Sequence, residues 1–246
     1  MIKQERGSTL IMVLFILLLV TLVGTWAVRG GMTSLNIATN AQAQALLVQH
    51  SDAVFYELEN FTDNAVQLAR LQLDNGMLGF INKPENKGKE LVFCIRKTEG
   101  NDRYHIGKAS MIYRQGTTIQ RNDLGQDGYC NLNDVSDFTS DRQAVVTRVS
   151  VSAATEARRD FGHYYDGSDP ETYGGKDIGT IVVNATSIIP NLSSASKADI
   201  NRCLSHYTSF REVVGGVVQD SINECLASLN VPYSSQEMEY QLRQVS

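Results

Sequence analysis

MIKQERGSTLIMVLFILLLVTLVGTWAV occupies residues 1–28: a short charged leader closed by Gly7, then a run with no charged side chain before Arg29. Leu10 to Val28 is 19 residues, about 29 Å of helix at roughly 1.5 Å per residue, which matches the thickness of a bilayer core. Lys3 and Arg6 stand on one side of the run, which predicts a leader that stays cytoplasmic while the rest crosses outward. The run is longer than the roughly 7–15 apolar residues of a removable signal. Its small-x-small step, Thr25-Trp26-Ala27, has a poor residue at its first position. An anchor is therefore expected, with a head beyond it.

The head has room for one sizeable domain within 246 residues, and 8% aromatic content with four prolines gives no sign of a disordered chain. Net charge is −5; the leader holds Lys3, Glu5 and Arg6, a sum of +1, so its removal leaves side chains at −6. No basic patch with interleaved aromatics is present, which argues against nucleic acid as the main partner. Four cysteines, Cys94, Cys130, Cys203 and Cys225, form an even set without Cys-x-x-Cys spacing, which favours disulfides in an oxidising compartment over zinc. Three connectivities exist; the nearest-neighbour closures are Cys94–Cys130 and Cys203–Cys225.

Beyond the apolar run, Leu35, Ala38, Ala41, Ala45, Val48 and Phe55 recur at helical steps, so the helix is expected to continue. Helical content should reach about Leu73, with a break around Asn60–Asp63 capped by Thr62 and a stop at Asn75-Gly76. Strands follow: Leu91 to Arg96, a pair around Gly116 between Ser110 and Arg121, and two clear alternating runs at Val145–Ala153 and Ile181–Ile189. Period-2 alternation predicts an antiparallel sheet with one face on a helix. Lys197 to Leu229 reads as helical, interrupted at Gly215-Gly216, before a tail containing Pro232. The fold class is α+β, a long N-terminal helix packed on an antiparallel sheet.

The string Glu5-Arg6-Gly7-Ser8-Thr9-Leu10-Ile11 resembles the processing site of type IV prepilins. Together with Gln4–Thr25, Asn40-Ala41-Gln42 and the tail Cys225-Leu226-Ala227-Ser228-Leu229-Asn230-Val231-Pro232-Tyr233, the chain resembles PilX-type minor pilins. That resemblance implies cleavage by a membrane prepilin peptidase between Gly7 and Ser8, N-methylation of Ser8, and a pilin-like fold with a stapled C-terminal region. It divides the chain into leader 1–7, transmembrane helix 8–29, periplasmic helix 30–75 and periplasmic α+β head 76–246. Major pilins carry a glutamate at the fifth mature position, where it neutralises the terminal amine of a neighbouring subunit; this chain has Met12 there. A charge in such apolar surroundings costs at least ~2.5–3.5 kcal/mol unless paired, so a subunit lacking the carboxylate suits a place where no amine needs a partner, the tip.

The implied partners are other minor pilins, a tip adhesin, the peptidase, and inner-membrane lipid before assembly. Pilus biogenesis, adhesion and twitching motility are the implied processes. A GspK-like minor pseudopilin of a type II secretion system, or a single-pass anchored periplasmic binding or sensor domain, are the alternatives. No cofactor is expected. The loop Asp123–Asp134 partly fits a calcium loop through Asp123, Asp127, Asn131 and Asp134, with Gly128 at the sixth place. Gly125 at position three and aspartate at position twelve depart from that pattern and favour a solvated turn closed by a disulfide. The Tyr-rich stretch 162–175 is either a recognition loop or a long connection. His50, His105, His163 and His206 are scattered, and no nucleophile, phosphate-loop or metalloprotease motif occurs, so no enzyme is expected.

Overall fold

The structure, a computed structural model, describes residues 8–100, 102–140, 142–154 and 175–245. The chain divides into two units, Met1–Ala45 and Leu46–Ser246. Helix α1 (Ser8–Asp63) contributes to both. In the first unit the residues from Leu10 to Val28 are all exposed, and the helix is long and apolar enough to cross a membrane. Two hydroxyls inside that run are satisfied within the helix: Thr21 Oγ1 donates to Leu18 O at 2.9 Å and Thr25 Oγ1 to Leu22 O at 2.8 Å. They therefore cost the apolar span little.

In the second unit α1 buries Leu47, Ser51, Val54, Phe55 and Leu58, a stripe at helical spacing. The stripe predicted from the sequence shares only Phe55 with it, while Leu35 and Val48 are exposed. Hydropathy misses the true face because a polar residue, Ser51, sits in its middle with its hydroxyl satisfied by Ser187. After α1, Asn64 caps α2 (Ala65–Gln72) by accepting from Val66 N at 3.0 Å and Gln67 N at 3.3 Å. Thr62 is no cap; its hydroxyl donates back to Glu59 O inside α1. Gly76 then opens α3 (Met77–Ile81), packed so closely that a Cβ there would overlap the Arg70 and Leu71 carbonyls.

The strands are β1 (Lys89–Cys94), β2 (Ser110–Gln115), β3 (Thr118–Arg121), β4 (Val146–Ala153) and β5 (Gly175–Ile188). There follow α4 (Lys197–His206), β6 (Glu212–Val214), β7 (Val217–Gln219), α5 (Ile222–Ser228) and β8 (Tyr233–Val245). Six strands form one sheet in the order β3-β2-β1-β4-β5-β8, antiparallel at every pairing. β6 and β7 form a separate hairpin. Its turn is Gly215-Gly216, with φ of +59° and +81°; such turns need positive φ at both central positions. The sequence expectation of a helical Lys197–Leu229 is thus corrected to helix, hairpin, helix, and the tail to a thirteen-residue strand.

One face of the sheet (Leu91, Phe93, Val149, Val151, Ile181, Val183 and Ala185) packs with α1 and α3 through Val54, Phe55, Leu58, Leu78 and Ile81. The other face is covered as well. Val146 and Ile188 pack with Leu132, Phe138, Ile200, Leu204, Ile222 and Leu226. The expected one-sided sheet is therefore a two-sided one, because the chain between Ile189 and Pro232, together with Leu132 and Phe138, folds over the face that alternation marks as polar. Both disulfides belong to this second layer: Cys94–Cys130 (S–S 2.02 Å) and Cys203–Cys225 (S–S 1.99 Å).

Candidate functional site

Two regions have chemistry to offer, and each lies in a different unit. In the first unit, Met12 is 67% exposed within the apolar run. Gly7 lies outside the described residues, and so do the backbone of 155–174, His163 included, and the Ser8 side chain.

In the head, the centre of the second face holds charge. Glu90 on β1 accepts the Ser209 N–H on both carboxylate oxygens at 3.0 Å. Arg148 on β4 reaches Glu90 Oε2 at 3.8 Å, donates to Ser209 Oγ at 3.3 Å and donates to Tyr207 O at 3.1 Å. Ser150 and Ser209 share a hydroxyl contact of 2.5 Å. Burial pushes the Glu90 carboxyl above its usual range, with Arg148 and the Ser209 donors opposing the shift and Glu212 adding to it. The network ties the segment after α4 to the sheet. Sequence reasoning missed it, although an arginine in the middle of an alternating valine strand and a glutamate opening Leu91-Val92-Phe93 were its signals.

Beside Glu90 lies a cavity of about 260 Å³, lined by Glu90, Ser152, Val182, Phe210, Glu212 and Glu237 among others. Its walls come from β1, β4, β5, β6 and β8. Arg148 serves Glu90, and Arg114 Nε stands 3.5 Å from Glu212 Oε2.

The suspected calcium loop spends its polar groups on itself and its neighbours. Asp134 accepts from Ser136 N at 2.9 Å and Ser136 Oγ at 2.8 Å, and these donors hold its carboxyl below the usual range. Asn131 Oδ1 accepts from Asn133 N at 3.0 Å and Asn201 Nδ2 at 2.9 Å. Asp123 is hydrogen-bonded with Tyr113, whose phenol it pushes upward. Asp127 offers its carbonyl to Arg96 at 2.7 Å. Among the described residues no cluster of three or more His, Cys, Asp or Glu side chains is arranged to hold a metal. The loop is instead held to the sheet by Cys94–Cys130, by Tyr129 Oη donating to Met111 O at 2.8 Å, and by Arg96, which pairs with Asp137 at 2.5 Å.

The described histidines do not converge. His50 is half-buried on α1 and burial pushes its pKa down. His105 meets Asn75 at 3.1 Å and accepts Gly107 N at 3.0 Å. His206 contacts Ser205 Oγ at 2.8 Å, and burial lowers its pKa. No family model, no curated protein and no solved structure matches the chain.

Proposed function

We propose that the chain is a minor pilin of the PilX type. It joins other minor pilins in a low-copy complex that primes assembly of a type IV pilus and occupies its tip, with an adhesin as neighbour. The head is periplasmic before assembly and at the cell surface afterwards, and its role is binding, without catalysis or cofactor.

The observation that carries this reading is one helix with two environments. Its N-terminal part is an uncharged, exposed run of membrane length preceded by Glu5-Arg6-Gly7, and its residues from Leu47 to Leu58 are built into an α+β head. An ordinary anchor needs no such sharing of a single helix between lipid and core. On cleavage after Gly7, the new terminal amine belongs to Ser8. Met12 gives a neighbour's amine no carboxylate, so this subunit adds to a filament poorly and is suited to start one.

The mass of the N-terminal peptide, taken from the membrane-extracted protein of its native cells, tests the reading. A chain beginning at Ser8 and carrying a methyl group is expected. A chain beginning at Met1 sinks the proposal. Once Ser8 is established, co-purified partners assign the subunit to a pilus or to a type II secretion machine.

A further inference from the structure

We propose that the outer edge of β8, with the acidic cavity beside it, docks an extended basic segment of another protein as an added strand. The inference rests on the head alone and goes beyond the tip assignment.

β8 is the terminal strand of the sheet and thirteen residues long, against four residues for β3 at the opposite edge. Among the described residues its backbone pairs along β5 alone; the one further contact is Ser234 O, which accepts from Ser51 Oγ at 3.5 Å. Proteins guard long edges with proline, charged side chains, a bulge or a covering element. Tyr233–Val245 contains no proline, its charged residues are Glu237, Glu239 and Arg243, and the register irregularity of this pairing lies in β5, between Asp177 and Gly179. The two glutamates repel an acidic strand and not a basic one. A row of outward backbone donors and acceptors at such an edge is the template for strand addition.

The occupant follows from charge. The pairings Val182↔Glu239 and Asn184↔Glu237 put both glutamates on the second face, and both are exposed. Met238 and Tyr240 alternate onto the first face, where Met238 is 38% exposed. A second copy paired antiparallel about Met238 would set Glu237 opposite Glu239, and like charges directly opposite destabilise a strand pair. A strand alternating basic with apolar residues is complementary on both faces.

The cavity adds a specific place for one cation. Of its three carboxylates, Glu90 has Arg148 and Glu212 has Arg114. Glu237, at the β8 side, stands in no ion pair among the described residues. A lysine or arginine opposite Glu237 can enter the cavity, meet that carboxylate and lie against the Phe210 ring, an attraction that strengthens as water is excluded.

The test is fluorescence anisotropy with the full chain in non-ionic detergent and a labelled ten-residue peptide of alternating lysine and valine. The controls are the same peptide N-methylated on every backbone amide, which leaves neither edge a donor for strand pairing, and a glutamate–valine counterpart. Saturable binding of the first peptide is expected, with neither control binding, and Glu237→Gln weakening it about tenfold, the loss of one charge-assisted contact. Absence of binding overturns the proposal, as does equal binding of the N-methylated peptide, which would leave unspecific charge attraction. Concentration-dependent self-association that Met238→Pro abolishes would assign the edge to a second copy and overturn the basic occupant.

Discussion

Ser51 on α1 and Ser187 on β5 meet hydroxyl to hydroxyl at 3.0 Å across 136 residues of sequence, both fully buried. Ser187 also contacts Thr147 Oγ1 on β4 at 2.9 Å. Three small hydroxyls thus bridge a helix and two strands at the helix–sheet seam. Ser187→Ala leaves Ser51 and Thr147 without their shared partner and should cost about 1–3 kcal/mol. Ser51→Ala should cost less, because Ser187 keeps Thr147. Urea unfolding of the two variants checks the order, and equal losses would contradict the chain of contacts.

The buried face of α1 can be read by truncation. Leu58→Ala removes a side chain 2% exposed and should cost about 2–5 kcal/mol. Val48→Ala, on the exposed side, should stay within about 0.5 kcal/mol. Thermal melts decide; a larger loss at Val48 would restore the stripe expected from the sequence.

Breaking the Glu90–Arg148 network at one end leaves a buried charge behind. Arg148→Met should cost about 3–5 kcal/mol. Glu90→Gln should cost less, because the fold already favours the neutral form of that carboxyl, and the double variant should be far less destabilised than the sum of the two. An additive cycle would show that the two side chains act independently. Glu90 also sets a pH dependence. Its folded pKa is raised, so its contribution to stability is fully present below the ordinary glutamate value and fades as pH rises through the folded one. Unfolding free energies measured across that window should show this slope in the native chain and lose it in Glu90→Gln.

Glu224 has the opposite sign. It closes a capping box on α5, accepting from the Ser221 backbone N–H at 2.6 Å and from the Ser221 hydroxyl, and these donors hold its carboxyl below the usual range. Its contribution is present above the ordinary glutamate value and is lost as pH falls through the lowered one. Glu224→Ala should melt below the native chain at neutral pH, and the gap should close towards about pH 2. A gap that ignores pH would remove the carboxylate from the cap.

Met12→Glu tests the filament reading directly. It supplies the carboxylate that the tip proposal takes to be absent for a reason, so the variant should enter sheared filaments in higher copy than the native chain. Quantitative mass spectrometry of purified filaments gives the answer, and an unchanged copy number counts against the tip.

Local pattern made part of this structure legible. Val149 and Val151 alternate with Arg148 and Ser150, and Ile181 and Val183 with Val182 and Asn184, so β4 and β5 could be read from period alone. Gly215-Gly216 was legible as a break, but its meaning depended on the flanking Val213-Val214 and Val217-Val218, whose symmetry marks a hairpin more than a broken helix. β8 was hidden by Glu237 and Glu239, which make an edge strand look like a solvated tail. The Glu90–Arg148–Ser209 network was not legible, because its members come from β1, β4 and the segment after α4, and only the folded chain brings them together.

Ile188 at the end of β5 pairs with Tyr233 at the start of β8, so the chain leaves the sheet and re-enters it at adjoining positions. Everything between them, α4, the β6–β7 hairpin and α5, is an excursion whose two ends are already joined by the sheet and whose helices are clasped by Cys203–Cys225. Such a segment behaves as a cassette. Its inward residues, Ile200, Leu204, Ile222 and Leu226, are held to the task of covering Val146 and Ile188. Its outward residues, Val213, Val217 and Val218 at the hairpin, are free to diversify while strand order and register stay the same.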